Sequence, residues 1–113
     1  MTERRRYVRF NASLRTFCRC VESSLAKFQT KIIDLSREGA CLLMNRELEK
    51  GTPVDIELNI PGDNIPVLAA GEVCWSKESA GHMNAGVKFT KLNPRDKTKL
   101  LEYLYKNWIE SKL

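Results

Sequence analysis

The stretch that most limits the fold is "VDIELNI", residues 54–60. It alternates without a break: Val54, Ile56, Leu58 and Ile60 fall on one side, Asp55, Glu57 and Asn59 on the other. A period of two marks a strand with one face buried and one wet, the usual state in an antiparallel sheet. "KGTP" precedes it and "PGDN" follows, both turn-rich. Beyond the second turn, "IPVLAAGEVCWS" supplies a partner strand and so a hairpin, with Gly71 marking a bulge or bend. Residues 14–21 and 26–36 read as two more strands joined by "ESS". The pieces "ACLLM" (40–44) and "NAGVKFT" (84–90) read as another two. Short strands with regular turns predict a small sandwich or barrel.

Only the last stretch has helical character. Asn93 suits an N-cap and Pro94 the first helical position, and Asp96 lies in the first turn, where the helix dipole favours an acid. Leu100, Leu101, Leu104, Tyr105 and Trp108 then form one apolar arc at helical spacing. That arc is expected to pack against the strands; a helix that binds a partner is the alternative. With 113 residues, 42% hydrophobic and 29% charged, the chain has the size and make-up of one globular domain, 1–113. It divides into a flexible basic tail (1–12), a β-barrel (13–91) and a closing helix (93–112). No apolar run approaches the roughly 20 residues needed to cross a membrane, and the charged start has no signal-peptide core after it. A cytoplasmic protein is therefore expected.

The cysteines are Cys18, Cys20, Cys41 and Cys74, with no C-x-x-C pair, and His82 is the sole histidine. A zinc site wants four such ligands, usually in close pairs, so buried free thiols in a reducing compartment are expected instead. Cys18 and Cys20 are two apart, share a strand face and are badly placed to bond each other. His82 sits in the loop-like "SAGHMNAG", with no nucleophile or acid beside it. There is no P-loop and no G-x-G-x-x-G. Enzyme chemistry has no support, and neither cofactor nor metal is expected.

The charge is uneven. Residues 1–9 hold Arg4, Arg5, Arg6 and Arg9 against one Glu, a net +3 out of the chain's +5. Such concentration argues for a local anion site over a broad nucleic-acid surface, which would carry a stripe of Lys and Arg. A solvated basic tail remains the plain alternative. The second informative piece is "DLSREG", residues 34–39. Asp34 and Ser36, two apart, would project from one face at a strand end, and Gly39 would break the chain into a turn. By itself this pattern reads equally as a turn held by side-chain-to-backbone bonds.

Together with the arginines it has a chemical sense. Arg5 and Arg9 are four apart, about 13 Å in an extended tail. Two guanidiniums so spaced can clasp two anionic groups of one ligand with bidentate geometry. Arginine also donates two bonds to guanine O6 and N7 and stacks on purines. Asp34 offers an acceptor for guanine N–H groups, and Ser36 is short enough to meet phosphate or sugar. A small ligand carrying phosphates and guanines would satisfy all four.

R-x-x-x-R (Arg5 to Arg9) followed by D-x-S-x-x-G (Asp34, Ser36, Gly39) resembles the signature of PilZ domains, bacterial receptors for cyclic di-GMP. "GEVCW" (71–75) and "GVKF" (86–89) resemble the family's later strands. The resemblance implies a mainly β protein: a six-stranded antiparallel PilZ-type β-barrel with a C-terminal α-helix and a tail that wraps the ligand. It implies that Arg5 and Arg9 hold phosphate and guanine, that Asp34 and Ser36 contact a guanine edge and backbone, and that Gly39 allows close approach. Arg4, just before the motif, would favour an intercalated pair of cyclic di-GMP molecules, and Arg6 and Arg37 would add contacts. Alternation puts Trp75 with Val67, Ala69 and Val73, in the core. A bulge near Gly71 or at the strand end would turn it outward, to lie near the ligand, and both placements stay open. The function implied is a stand-alone second-messenger receptor that relays cyclic di-GMP to a protein effector controlling motility, exopolysaccharide, biofilm or virulence. The alternatives are a small basic barrel binding nucleic acid, the less expected partner, and an adaptor working only through protein contacts.

Overall fold

The computed structural model describes residues 14–22 and 27–110, apart from the side chains of Trp108 and Glu110. Arg4, Arg5, Arg6 and Arg9 lie outside the described residues. Six strands precede one helix: β1 (Arg15–Cys20), β2 (Phe28–Leu35), β3 (Gly39–Met44), β4 (Pro53–Asn59), β5 (Val67–Ser79), β6 (His82–Leu92) and α1 (Pro94–Glu110). They form a closed antiparallel barrel in the order β1-β2-β3-β6-β5-β4. Closure leaves every strand with two neighbours over much of its length, so the edges that would invite aggregation are largely removed.

The alternation in residues 54–60 survives as drawn. Val54, Ile56 and Leu58 are buried, while Asp55, Glu57 and Asn59 are half-exposed on the outside. Cys18 and Cys20 also face inward, as free thiols; Cys41 is buried and Cys74 exposed. Burial in the barrel, with Cys20 and Asp55 nearby, pushes the Cys18 thiol up to about 12. The loop expected around His82 is instead a continuation of the β5–β6 hairpin. Ser79 pairs with His82, and Ala80 and Gly81 take φ of 51° and 79°. Two successive positive φ values make the tight turn whose twist suits a hairpin.

The helix starts as predicted. Asn93 Oδ1 accepts the Arg95 N–H at 2.9 Å, and its carbonyl accepts the Lys97 N–H at 2.9 Å. The apolar arc divides. Leu100 and Leu104 are buried in the barrel's core cluster, and Tyr103, outside the predicted arc, packs against it. Leu101 is only half-buried and Tyr105 is 50% exposed, so the buried stripe is narrower than the sequence suggests. Lys99 pairs with Asp63 at 2.7 Å and reaches the Ile65 carbonyl at 3.4 Å, tying α1 to the β4–β5 loop. Among the described residues no helix is long and apolar enough to cross a membrane.

Candidate functional site

Two irregularities set the site. Ile32 and Leu35 both point into the barrel although they are three apart. Strict alternation from Ile32 would put Asp34 inside. The β2–β3 register slips between Ile32 and Asp34, leaving Ile33 as the extra residue of a bulge. Asp34 is thereby turned to the outer face, where it pairs with Cys41. The same happens on β5. Its pairing with β6 slips between Val73 and Trp75, so Cys74 is extra. Val73 stays buried and Trp75 swings outward, 43% exposed. The core placement of Trp75 that alternation suggested is therefore wrong, and the bulge is the reason. A further slip lies at Ala70/Gly71, where the sequence predicted a bend.

With both bulges in place, one register row crosses four strands on the outer face. Asp34 pairs with Cys41, Cys41 with Gly86, and Gly86 with Trp75. At roughly 4.8 Å per strand step the row spans about 14 Å. Its floor is low. Trp75 lies on Gly86, because a Cβ there would collide with the indole Nε1 and Cε2 and stand 2.9 Å from Cδ1. Cys41 has the outward parity of β3 and lies outside the core cluster, yet it is 6% exposed. Neither Cys41 nor Gly86 was singled out from the sequence as a site residue. The "GVKF" motif was the available signal for Gly86, and its physical content is room for the tryptophan.

Ser36 and Gly39 have structural work of their own. Ser36 lies just past the end of β2, so it does not share a strand face with Asp34 as the spacing suggested. It is 7% exposed. Its N–H donates to the Gly39 carbonyl at 2.9 Å, and its hydroxyl accepts the Glu38 N–H at 3.3 Å and donates to the Gly39 carbonyl at 3.4 Å. These bonds close the Ser36–Gly39 turn, with Arg37 exposed at its tip. Gly39 is where β3 approaches β6. A Cβ would run into the Val87 carbonyl oxygen and sit 3.2 Å from Lys88 Cα. The Phe89 N–H donates to the Glu38 carbonyl at 2.7 Å and fastens the turn to β6. Gly71 is crowded in the same way, by Val87 Cγ1 at 2.6 Å and the Lys88 carbonyl at 2.9 Å. The "GEVCW" and "GVKF" glycines thus serve strand and ring packing.

A groove of about 570 Å³ lies elsewhere, over β1, β4 and β5, lined among others by Phe17, Arg19, Asp55, Glu57 and Leu68. Its ion pairs are internal: Arg19 with Asp55 at 2.7 Å and Lys27 with Glu57 at 3.0 Å, which holds the Glu57 carboxyl below its ordinary value. None of Asp34, Ser36, Arg37, Gly39 and Trp75 lines it. The outer-face row carries more of the predicted chemistry than the groove does.

The model of one protein family, the PilZ domain, matches residues 3–106. A search among curated proteins finds no match. Among solved structures, the cyclic di-GMP-bound PilZ domain of YcgR from Escherichia coli is similar with a TM-score of 0.74 at 20% identity, covering 97% of this chain and 95% of that one. The inhibitor of motility MotI/DgrA of Bacillus subtilis gives 0.82 at 15% identity, over 99% of this chain and 55% of that one. The MrkH–cyclic di-GMP complex of K. pneumonia gives 0.75 at 17%, over 98% and 54%. The chain thus spans about half the length of the last two.

Proposed function

The chain belongs to the PilZ domain family, and from that membership we propose that it is a bacterial receptor for cyclic di-GMP. The observation that carries the proposal is the outer-face row from Asp34 to Trp75, made by two bulges. Two of the similar solved structures hold cyclic di-GMP, which agrees with it. Trp75 offers a guanine an exposed indole edge and face, a contact worth about 1–3 kcal/mol per stacked base. Asp34 accepts from guanine N1–H and N2–H. The Ser36–Gly39 turn holds Asp34 and Arg37 in register at one end of the row.

Strand direction supports a role for the amino-terminal arginines. Arg15 pairs with Lys31, and β2 runs on from there to Asp34. β1 therefore begins at the end of the barrel where Asp34 lies. Arg9 precedes Leu14 by five residues, a span of up to about 17 Å. Arg5 and Arg9 then close on the ligand's phosphates and guanine, with Arg6 and Arg37 as further donors. Arg4 adds charge for a second, intercalated ligand molecule. Contacts of the tail with ligand exist only in the closed arrangement, so ligand shifts the population toward it and presents a new surface to an effector protein. Motility, exopolysaccharide, biofilm and virulence are the processes such a receptor would serve, inside the cytoplasm.

Calorimetric titration with cyclic di-GMP, with GTP and cyclic GMP as controls, tests this. Saturable heat with cyclic di-GMP alone is expected, and Arg9→Ala should abolish it while leaving the melting temperature unchanged. Undiminished binding by a folded Arg9→Ala variant would remove Arg9 from the site. No heat with any nucleotide from a folded sample would refute the receptor function.

A further inference from the structure

Lys88 shares the outer face with the Asp34–Trp75 row, one pleat along β6. It follows Gly86 by two positions, roughly 7 Å on the same side. Its register partners are Gly39 on β3 and Glu72 on β5. Gly39 has no side chain to stand between Lys88 and the Ser36–Gly39 turn. The bond from the Phe89 N–H to the Glu38 carbonyl clamps that turn to β6 at the very next residue. On the other side, Trp75 covers Gly86, so Lys88 borders both the turn and the ring.

The local charge makes this position matter. Around the row, Asp34, Glu38 and Glu72 are carboxylates on the outer face or its turn. An anion approaching them needs cations on the barrel itself. Arg37 at the tip of the turn is one such cation, while Lys27 and Lys99 are committed to Glu57 and Asp63. Lys88 is exposed and, among the described residues, enters no ion pair, although Glu72 stands opposite. Its ammonium is a compact point charge on a flexible stem, suited to a phosphate that no rigid fork has already taken.

We propose that Lys88 is a further ligand-binding residue, holding a phosphate of the dinucleotide bound on the Asp34–Trp75 face. This rests on the receptor function proposed above. The test is calorimetric titration of the full chain with cyclic di-GMP at low and high salt, for wild type, Lys88→Met, Lys88→Arg and Lys106→Met. Lys106 is exposed on α1, the helix that Lys99 ties to the β4–β5 loop. Lys88→Met should weaken binding about tenfold, the size of one charge-assisted contact, and flatten its salt dependence without changing the melting temperature. Lys88→Arg should restore most of the affinity and Lys106→Met should match wild type. If wild type binds and Lys88→Met binds equally well with the same salt dependence, Lys88 has no such role, while the receptor function stands. An equal loss in Lys106→Met would reduce the effect to net charge and overturn the assignment. Absence of binding by wild type would remove the receptor function, and Lys88's role with it.

Discussion

Gly39→Ala separates two explanations of the glycine that closes the D-x-S-x-x-G motif. If Gly39 exists to let a ligand approach, alanine weakens binding and leaves the unliganded protein alone. The structure points to the second explanation. The new Cβ would overlap the Val87 carbonyl oxygen and crowd Val87 C at 3.1 Å and Lys88 Cα at 3.2 Å. All three are backbone atoms of β6, so no side chain can rotate away. Relief requires β3 and β6 to part at the Gly39–Lys88 pair, next to the Phe89 N–H bond to the Glu38 carbonyl. Overpacking of this kind costs about 1–3 kcal/mol. A loosened backbone bond adds about 1 kcal/mol. In a domain of this size each kcal/mol moves the midpoint by ~4–8 °C. The expected outcome is a fall on the order of 10 °C in thermal melts followed by circular dichroism without ligand. A melting temperature within about a degree of wild type, which on the same scale is under ~0.3 kcal/mol, would refute the steric account.

Gly86→Ala should behave differently, since its added Cβ meets a half-exposed side chain, the Trp75 indole, and not backbone: a small loss of stability, with a shift in Trp75 fluorescence and weakened cyclic di-GMP binding by calorimetry. A stability loss as large as that of Gly39→Ala would show the ring to be fixed. The Asp63 carboxyl is held below its ordinary value of 3.8, first by the Lys99 hydrogen bond and then by the Ile65 N–H. A depressed carboxyl stabilises the fold above that value and ceases to do so as pH falls through the folded one. The small stability gap between wild type and Lys99→Met, measured by urea melts, should therefore hold at neutral pH and close below about pH 4. Thiol reagents should label Cys74 rapidly and Cys18 only on unfolding, because Cys74 is exposed while burial pushes Cys18 up to about 12. Mass-spectrometric mapping of the first label checks this, and early modification of Cys18 would contradict its burial.

Much of the fold was legible from residues alone because its signals are local. Strand β4 follows from an alternation that any pairing would respect, and the start of α1 follows from Asn93 and Pro94, whose effects act within one turn of backbone. The turn at Ser36–Gly39 was legible in the same way: serine and glycine three apart close it with their own backbone bonds. The reach of the β5–β6 hairpin was missed because its two-residue turn uses Ala80, a residue with no preference for positive φ, beside Gly81. Helical spacing puts Tyr105 in the apolar arc, whereas among the described residues the barrel takes Leu100, Leu104 and Tyr103 and leaves Tyr105 exposed.

The family signature named Asp34 and Trp75, but the sequence alone could not say which way either side chain points. Parity counted from Ile32 puts Asp34 inside, and parity counted from Val73 puts Trp75 inside. Each is reversed by one unpaired residue, Ile33 or Cys74, and a bulge is a property of two strands in register, not of either one. The crowding at Gly39 and Gly86 likewise depends on what the neighbouring strand places there. Composition and pattern determined a small antiparallel sandwich or barrel with a capped helix and a charge-rich start. Only the closed sheet, by forcing six strands into one set of registers, decided that Asp34, Cys41, Gly86 and Trp75 lie in one line on its outer face.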